Sequence, residues 1–251
     1  MKPKQTVLNL YKNRGETPLE CIKRFKSENS EYKNEPMTYA GRLDPLAEGL
    51  LLVLVGEECK NKEKYLGFDK EYEVDVLFGF STDTYDILGK VIHIIMSDLF
   101  PIKNIKDILI TFIGKFSQKY PAYSSKTING ETLFSLAKSG ELNENDIPEK
   151  EVEIKEIKLL KHKELSKKEL EKYIIKSVNS VSGDFRQEEI LKKWEDMLLK
   201  TKVKKFPVIS IKVNCTSGTY MRSLANSIGE KIGVPALALN IKRTRVGEYK
   251  I

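Results

Sequence analysis

The sequence is poor in the residues that build disulfide frameworks and metal sites. Its 251 residues include three cysteines, two histidines and one tryptophan. The cysteines, Cys21, Cys59 and Cys215, lie far apart and are odd in number, and none forms the closely spaced pair of a zinc site. We therefore expect no disulfide scaffold and no metal centre, and the free thiols favour a reducing, cytoplasmic location.

Long hydrophobic runs are also missing. The longest, residues 50–55, is far shorter than the roughly 20 residues that cross a bilayer as a helix. Residues 1–5 carry positive charge, but no apolar stretch follows them, so we expect no secretory signal. Neither a membrane protein nor a secreted protein is predicted.

The composition is that of a folded protein with an excess of basic residues. Hydrophobic residues make up 40% and charged residues 31%, which is typical of a soluble globular domain. The 43 basic and 36 acidic residues give a net charge of +7, and residues 206–251 carry seven basic residues against two acidic ones. This balance favours a polyanionic partner, although a solvated, lysine-rich surface would give the same charge.

Hydrophobic periodicity predicts a mixture of strands and helices. Apolar residues alternate over 72–80 and again over 209–215, which predicts two strands. Spacing of three and four residues over 105–113 and 221–232 predicts two amphipathic helices. The order of these elements indicates an α+β fold with hairpins rather than regular βαβ units.

Residues 161–205 differ in character from the rest. They are rich in lysine, and they contain two helical patterns, 168–177 and 188–199, separated by a Ser-Val-Ser-Gly turn. We interpret them as a helical insertion. Its lysines either bind a polyanionic partner or belong to a solvated helical hairpin that covers the sheet.

Three short stretches carry residues suited to chemistry. Asp44 lies in a Leu-Asp-Pro-Leu turn before an apolar strand, where it is either a turn residue or a carboxylate at the rim of the core. Arg222 lies in the first turn of a helix that Thr219 is placed to cap. Because a cation there opposes the helix dipole, Arg222 is explained either by an anion that faces it or as a solvated surface arginine. Tyr72 is the first residue of an alternating strand. It is either an aromatic residue of the core or a platform on which a base stacks.

Taken in order, these stretches resemble one enzyme family. The chain is similar to the TruB-type tRNA pseudouridine synthases, which isomerise uridine 55 in the T loop of tRNA. The similarity covers residues 8–160 and 207–249, and the matching stretches are 41–51, 70–72, 81–86, 120–124 and 218–222. The combination of Leu-Asp-Pro-Leu-Ala with Gly-Thr-Tyr-x-Arg is what makes the match specific.

The resemblance implies a role for each matching residue. Asp44 corresponds to the catalytic aspartate, and Arg222 to its basic partner. Tyr72 stacks under the flipped uracil, while Tyr220 and Ile241 line the pocket. A carboxylate can serve the reaction as a nucleophile at C1′ of the ribose or as a base at the ribose, and the sequence leaves both routes open.

The resemblance also implies a fold and a set of partners. The expected fold is a mixed, mainly antiparallel sheet flanked by helices, with the cleft across its middle. We expect a monomer acting on tRNA without cofactor or metal, as a single catalytic domain over 1–251 that lacks the RNA-binding PUA domain of bacterial relatives.

Two residues depart from the family pattern. Tyr39 stands where the family often has a histidine that helps to extrude the base, and we expect Tyr39 to contact the substrate in its place. Arg42 stands where small residues are common. A different uridine or RNA, or an RNA-binding module without catalysis, remains an alternative function.

Overall fold

One nine-stranded sheet runs through the centre of the protein. The computed structural model describes residues 5–97, 100–102 and 104–251. Residues 1–4, part of the segment considered above for a secretory signal, lie outside it. Within the described residues, no helix is both long and apolar enough to cross a membrane.

The strands in this part of the chain are β1 (Val7–Lys12), β2 (Met37–Ala40), β3 (Ala47–Val55), β4 (Lys70–Phe78), β5 (Phe80–Thr82), β6 (Val91–Ile94), β7 (Gly114–Lys119), β8 (Thr127–Ile128), β9 (Glu131–Thr132), β10 (Glu149–Ser166), β11 (Lys205–Cys215), β12 (Ala236–Val246) and β13 (Tyr249–Lys250). The α-helices are α1 (Pro18–Glu28), α2 (Lys62–Leu66), α3 (Ile105–Ile110), α4 (Leu133–Ser139), α5 (Lys167–Asn179), α6 (Gln187–Lys200) and α7 (Met221–Ile232). Short 3-10 helices lie at Ser30–Tyr32, Gly56–Asn61 and Glu144–Asp146.

The sheet is mixed and mainly antiparallel. Its order is β1-β3-β12-β4-β11-β10-β7, with β2 beside β3 and β13 beside β12. Only the β3–β12 pairing is parallel among the described strands of this sheet. The predicted α+β class, with a mainly antiparallel central sheet flanked by helices, is confirmed.

Helices cover both faces of the sheet, because successive side chains of a strand point to opposite faces and are apolar on both. Val74, Val76 and Phe78 of β4 belong to a core that includes residues of α3 and α7. Leu77, between them in sequence, points to the opposite face and belongs to a second core with α5 and α6. Strand β3 is likewise buried on both faces, which explains why it is apolar at nearly every position.

The predicted helical insertion is shorter than expected. The helical patterns are confirmed as α5 and α6, but residues 161–166 are the end of the 18-residue strand β10. They pair with residues 205–210 of β11. Their polar sequence carries no clear strand signal, and pairing with the apolar β11 determines their conformation.

Candidate catalytic cleft

A cleft of about 860 Å³ opens between the sheet and the loops around α7. The structure places all six residues predicted for the site on its lining: Tyr39, Asp44, Tyr72, Tyr220, Arg222 and Ile241. They come from β2, the β2–β3 loop, β4, the start of α7 and β12. Sequence segments nearly 200 residues apart therefore meet at one place.

Asp44 lies in the loop between β2 and β3, held in shape by backbone contacts. The Ala47 N–H donates to the Asp44 carbonyl at 3.0 Å and closes a turn. Leu43 and Leu46 on either side are buried, whereas the Asp44 side chain is 38% exposed. Asp44 thus lies at the rim of the core, as one interpretation of the sequence predicted.

Two buried cations support this loop. Lys12 Nζ donates to the carbonyls of Pro45 and Ala47, at 3.1 and 2.5 Å. Arg243 donates from its guanidinium to the carbonyls of Gly41, Arg42 and Leu50, at 2.8 to 3.2 Å. The two side chains thereby tie the loop to β1 and β12, the strands that carry them.

Gly49 allows β3 to approach β12 at this point. Its φ of +102° lies in the region that favours glycine, and a Cβ there would collide with the backbone of Arg243. A side chain at position 49 would therefore displace Arg243 from the loop that it supports.

Arg222 pairs with Asp44 from the first turn of α7. Its Nε donates to Asp44 Oδ2 at 2.8 Å, and Nη2 donates to Oδ1 at 3.2 Å. The same guanidinium donates to the carbonyls of Thr84 (2.9 Å) and Tyr123 (3.2 Å). The anion opposite Arg222 is thus Asp44, and the pair has the bidentate geometry that suits arginine and carboxylate.

Arg222 is almost wholly buried, with 3% of its surface exposed. Burial alone would lower its pKa, but the Asp44 and Asp86 carboxylates more than offset this, so the pKa is raised and the charge is retained. The result is a fixed positive charge behind a carboxylate that faces the cleft.

The start of α7 differs from the prediction. Thr219 does not cap the helix, because its hydroxyl donates to the Thr216 carbonyl at 2.9 Å. Tyr220 is the N-cap residue, and it makes no side-chain capping bond. Instead, the Gln118 side chain accepts from the Tyr220 N–H at 2.8 Å and donates to the Tyr220 carbonyl at 3.1 Å. This amide fixes the helix start next to Arg222.

Asp86 is a second carboxylate at Arg222, and sequence reasoning missed it. Its Oδ2 lies 3.8 Å from Arg222 Nε, and Oδ1 accepts from the Thr84 hydroxyl (2.7 Å) and the Leu88 N–H (2.9 Å). Burial raises the pKa of Asp86, and Arg222 and Thr84 oppose that shift. The signal was its place in the 81–86 motif, directly before the buried Ile87.

Tyr72 and Ile241 form the apolar floor of the cleft. Both belong to the same core cluster, with 9% and 8% of their surfaces exposed. Tyr72 is the cross-strand partner of Arg243, and burial raises the pKa of its hydroxyl against the influence of that guanidinium. Tyr72 is therefore both a core residue and part of the lining, so the two interpretations of its strand position are compatible.

Two further tyrosines line the walls. Tyr220 packs edge-on against Tyr120, with ring centroids 5.5 Å apart, and its pKa is raised by burial and by Asp44. Tyr39, at the rim, has Lys62 Nζ 5.5 Å from the centre of its ring.

Basic side chains outnumber acidic ones on the lining. Seven lining residues are basic and three are acidic: Arg42, Lys62, Lys70, Lys138, Arg186, Arg222 and Arg243 against Asp44, Asp86 and Asp184. A cleft with this charge attracts polyanions, and its aromatic rings offer flat surfaces on which a planar base can stack. Among the described residues, no group of His, Cys, Asp and Glu side chains could hold a metal ion.

Comparison with known protein families gives a match to more than half of the chain. Residues 30–180 match the sequence model described as "TruB family pseudouridylate synthase (N terminal domain)". Among curated relatives, "tRNA pseudouridine synthase B" of Ligilactobacillus salivarius is 29% identical over 98% of this chain and 68% of its own length. The protein of the same name from Thermosipho melanesiensis is 31% identical over 97% of this chain and 64% of its own length.

Solved structures share the fold. The structure described as "Crystal Structure of a Cbf5-Nop10-Gar1 Complex" matches with a TM-score of 0.57 and 20% identity, over 97% of this chain and 49% of that chain. A second, described as "Structure of H/ACA RNP bound to a substrate RNA containing 2'-deoxyuridine", matches with a TM-score of 0.55 and 19% identity. This chain thus spans about two thirds of the curated relatives and about half of the solved chains.

Proposed function

The chain belongs to the TruB family of pseudouridylate synthases, as its motifs predicted, and from that premise we propose that it isomerises a uridine in tRNA to pseudouridine. The target proposed is uridine 55 of the T loop, and the reacting carboxylate is Asp44. The observation that carries the proposal is the pair of hydrogen bonds from buried Arg222 to both oxygens of Asp44, at the rim of a basic cleft.

The reaction is an isomerisation in which atoms and electrons balance. The bond from N1 of uracil to C1′ of the ribose breaks, the base turns over, and C5 bonds to C1′. The C5 proton leaves to solvent and N1 gains a proton. In this proposal Asp44 acts either on C1′ as a nucleophile or on the ribose as a base, and its presence in the same cleft as Tyr72 supports a role at the sugar of a stacked nucleotide.

The lining provides for a base that has left its helix or loop. A flipped uracil stacks on the Tyr72 ring and is enclosed by Ile241 and Tyr220, while Tyr39 contacts the RNA at the rim. Arg42 and Lys62, lining residues that are not buried, are suited to contact the phosphates on either side of the flipped nucleotide. We propose that the enzyme acts as a monomer in the cytoplasm.

The test is a map of pseudouridine in an unmodified tRNA transcript incubated with the purified protein. We expect one new pseudouridine, at position 55, and none in a transcript with cytidine at that position. Modification at another uridine would refute the proposed target, and the absence of modification in every tRNA tested would refute the proposed activity.

A further inference from the structure

The turn between α5 and α6 reaches the loops that surround the cleft. We call residues 180–186 the hairpin tip. Its Ser182 hydroxyl donates to Glu20 of α1, and its Asp184 pairs with Lys138 of α4 at 2.7 Å. Asp184, Phe185 and Arg186 all contribute to the cleft lining. The lysine-rich insertion is therefore joined to the candidate active site at its tip.

Arg186 has an unusual backbone conformation at this tip. With φ of +64° and ψ of +30°, it is in the left-handed region, which costs a non-glycine residue free energy. It precedes α6 without making a side-chain cap. The conformation instead directs the side chain inward, where only 15% of it is exposed.

The Arg186 side chain joins two segments on either side of Arg222. Nη1 donates to Asp83 Oδ2 at 2.8 Å and to the Tyr123 hydroxyl at 2.7 Å. The guanidinium carbon lies 4.3 Å from the centre of the Tyr123 ring, so the cation also stacks on the aromatic face. One arginine thus fixes both the 83–90 loop and the segment that begins at Tyr120.

Both partners of Arg186 are next to a carbonyl that holds Arg222. The Tyr123 carbonyl accepts from Arg222 Nη2, and the carbonyl of Thr84, which follows Asp83, accepts from Arg222 Nη1. Asp83 is itself fixed, because its Oδ1 accepts from the Lys90 N–H at 2.8 Å. Contacts therefore run without a break from the hairpin tip through Arg222 to Asp44.

We propose that Arg186 is a positioning residue for the Asp44–Arg222 pair, and that the inserted hairpin holds it in place. The role in catalysis rests on the proposed function. Without the guanidinium, the Tyr123 and Thr84 carbonyls are free to shift, and Arg222 loses the frame that aims it at Asp44. A displacement of about 1 Å at reacting groups can slow a reaction by about a hundredfold.

The test variant is Arg186→Asn, since asparagine tolerates the left-handed conformation and the variant lacks the guanidinium. The matched control is Glu189→Gln, which breaks the ion pair between Glu189 of α6 and Lys90 of the 83–90 loop, away from the Arg222 carbonyls. Tyr123→Phe is the partner variant, because it removes the hydroxyl and keeps the ring.

Three measurements are made on each variant: the single-turnover rate at saturating tRNA, the affinity for tRNA, and the rate of trypsin cleavage after exposed Lys126. Arg186→Asn is expected to slow turnover by about tenfold with unchanged affinity, as a displaced catalytic group would. Tyr123→Phe is expected to slow it too, and the double variant to add little to Arg186→Asn, because both substitutions remove the same hydrogen bond. Cleavage after Lys126 is expected to be faster in Arg186→Asn. Glu189→Gln is expected to behave as wild type.

Turnover and cleavage rates equal to those of Glu189→Gln would overturn the proposal. Trp194 is the single tryptophan and is buried in α6, so its emission reports whether the hairpin stays packed. If the emission shows that the hairpin has detached in Arg186→Asn, the turnover rate of Tyr123→Phe becomes the test of the proposal. Unchanged turnover in Tyr123→Phe would then overturn it. If the wild-type protein does not isomerise uridine, the proposed function fails, and cleavage after Lys126 alone decides whether Arg186 holds the segment.

Discussion

Lys12 and Arg243 hold, through backbone carbonyls, the loop that carries Asp44. Neither residue exposes more than 1% of its surface. Burying a cation is costly unless it is hydrogen-bonded, and carbonyl oxygens from several segments meet that need here. The loop that carries Asp44 is therefore stabilised by buried charge as well as by turn geometry.

The pKa of Lys12 gives a prediction for stability against pH. Burial lowers it from 10.5 to about 8, so the folded protein releases this proton near pH 8 and the unfolded chain near 10.5. Between these values the unfolded state binds more protons, and Lys12 makes the free energy of unfolding rise by up to about 1.4 kcal/mol per pH unit. We expect the difference in unfolding free energy between wild type and Lys12→Met to grow in favour of wild type between about pH 7.5 and 9.5, by urea titration. A constant difference would contradict the assignment.

Tyr72 gives a prediction for RNA binding. Tyr72→Phe keeps a ring on the cleft floor, whereas Tyr72→Leu removes the stacking surface. We expect Leu to weaken tRNA binding by about 1–3 kcal/mol relative to Phe, measured by equilibrium titration, because stacking on a base is lost. Equal binding and turnover in the two variants would mean that the ring serves the core alone.

The sequence predicts a site residue best when that residue lies in a short, recognisable motif. Five of the six predicted residues lie in or beside short motifs, whereas Ile241 was inferred from the family resemblance alone, and the structure brings all six together. Lys12 and Arg243 lie outside those motifs. Arg243 is one of the basic residues of 206–251 whose charge favoured a polyanionic partner, but it is buried and donates to backbone carbonyls. Its period-two spacing from Ile241 on β12 places the two on one face and could have revealed this.

At the scale of elements, the α5–α6 hairpin is part of the core rather than an appendage. Leu170, Ile174, Ile190, Trp194 and Leu198 belong to the same cluster as strand residues of β4, β11 and β12. Trp194 also donates to the Gly89 carbonyl at 3.2 Å. The hairpin therefore covers the sheet, as one interpretation of the sequence held.

Matched substitutions on this hairpin test that conclusion. Leu170 is fully buried, and Leu199 is 76% exposed. We expect Leu170→Ala to lower the free energy of unfolding by about 2–5 kcal/mol, because a cavity remains. Leu199→Ala is expected to change it by no more than about 0.5 kcal/mol. Chemical denaturation measures the free energy of unfolding of both variants. A small effect of Leu170→Ala would mean that the hairpin contributes little to the stability of the fold.

Helices were easier to predict than strand ends. The patterns at 168–177 and 188–199 differ from α5 and α6 by only one or two residues at each end, because each helix has a clear apolar face. The long strand β10 continues through polar residues, where only its partner strand determines its conformation. Such pairing joins distant parts of the chain, so local sequence does not show it.

At the scale of the whole molecule, the +7 charge predicts salt-dependent binding to RNA. Lys202, Lys204 and Lys205 are exposed at the start of β11, at the opposite end of α6 from the hairpin tip. We expect their reversal to glutamate to weaken binding to every RNA alike. The salt dependence should flatten by about one unit of slope for each phosphate that the variant no longer neutralises.

The control for this prediction reverses Lys23, Lys33 and Lys60, which are exposed near the β1–β3 side of the sheet, and changes the net charge equally. Titrations at several salt concentrations compare the two triple variants. Equal slopes would show that the lysines near β11 act only through total charge and that the hairpin does not grip RNA.

Replacing Asp44 tests the proposal that its carboxylate drives the isomerisation of uridine in tRNA. Asp44→Asn keeps the size of the side chain and removes the charge that Arg222 faces, whereas Asp184→Asn neutralises another carboxylate of the cleft lining as a control. The measurement is pseudouridine formed in a tRNA transcript in a single turnover. We predict none for Asp44→Asn, with melting temperature and tRNA affinity close to wild type, and near-normal formation for Asp184→Asn. Substantial pseudouridine formation by Asp44→Asn would refute the role proposed for Asp44.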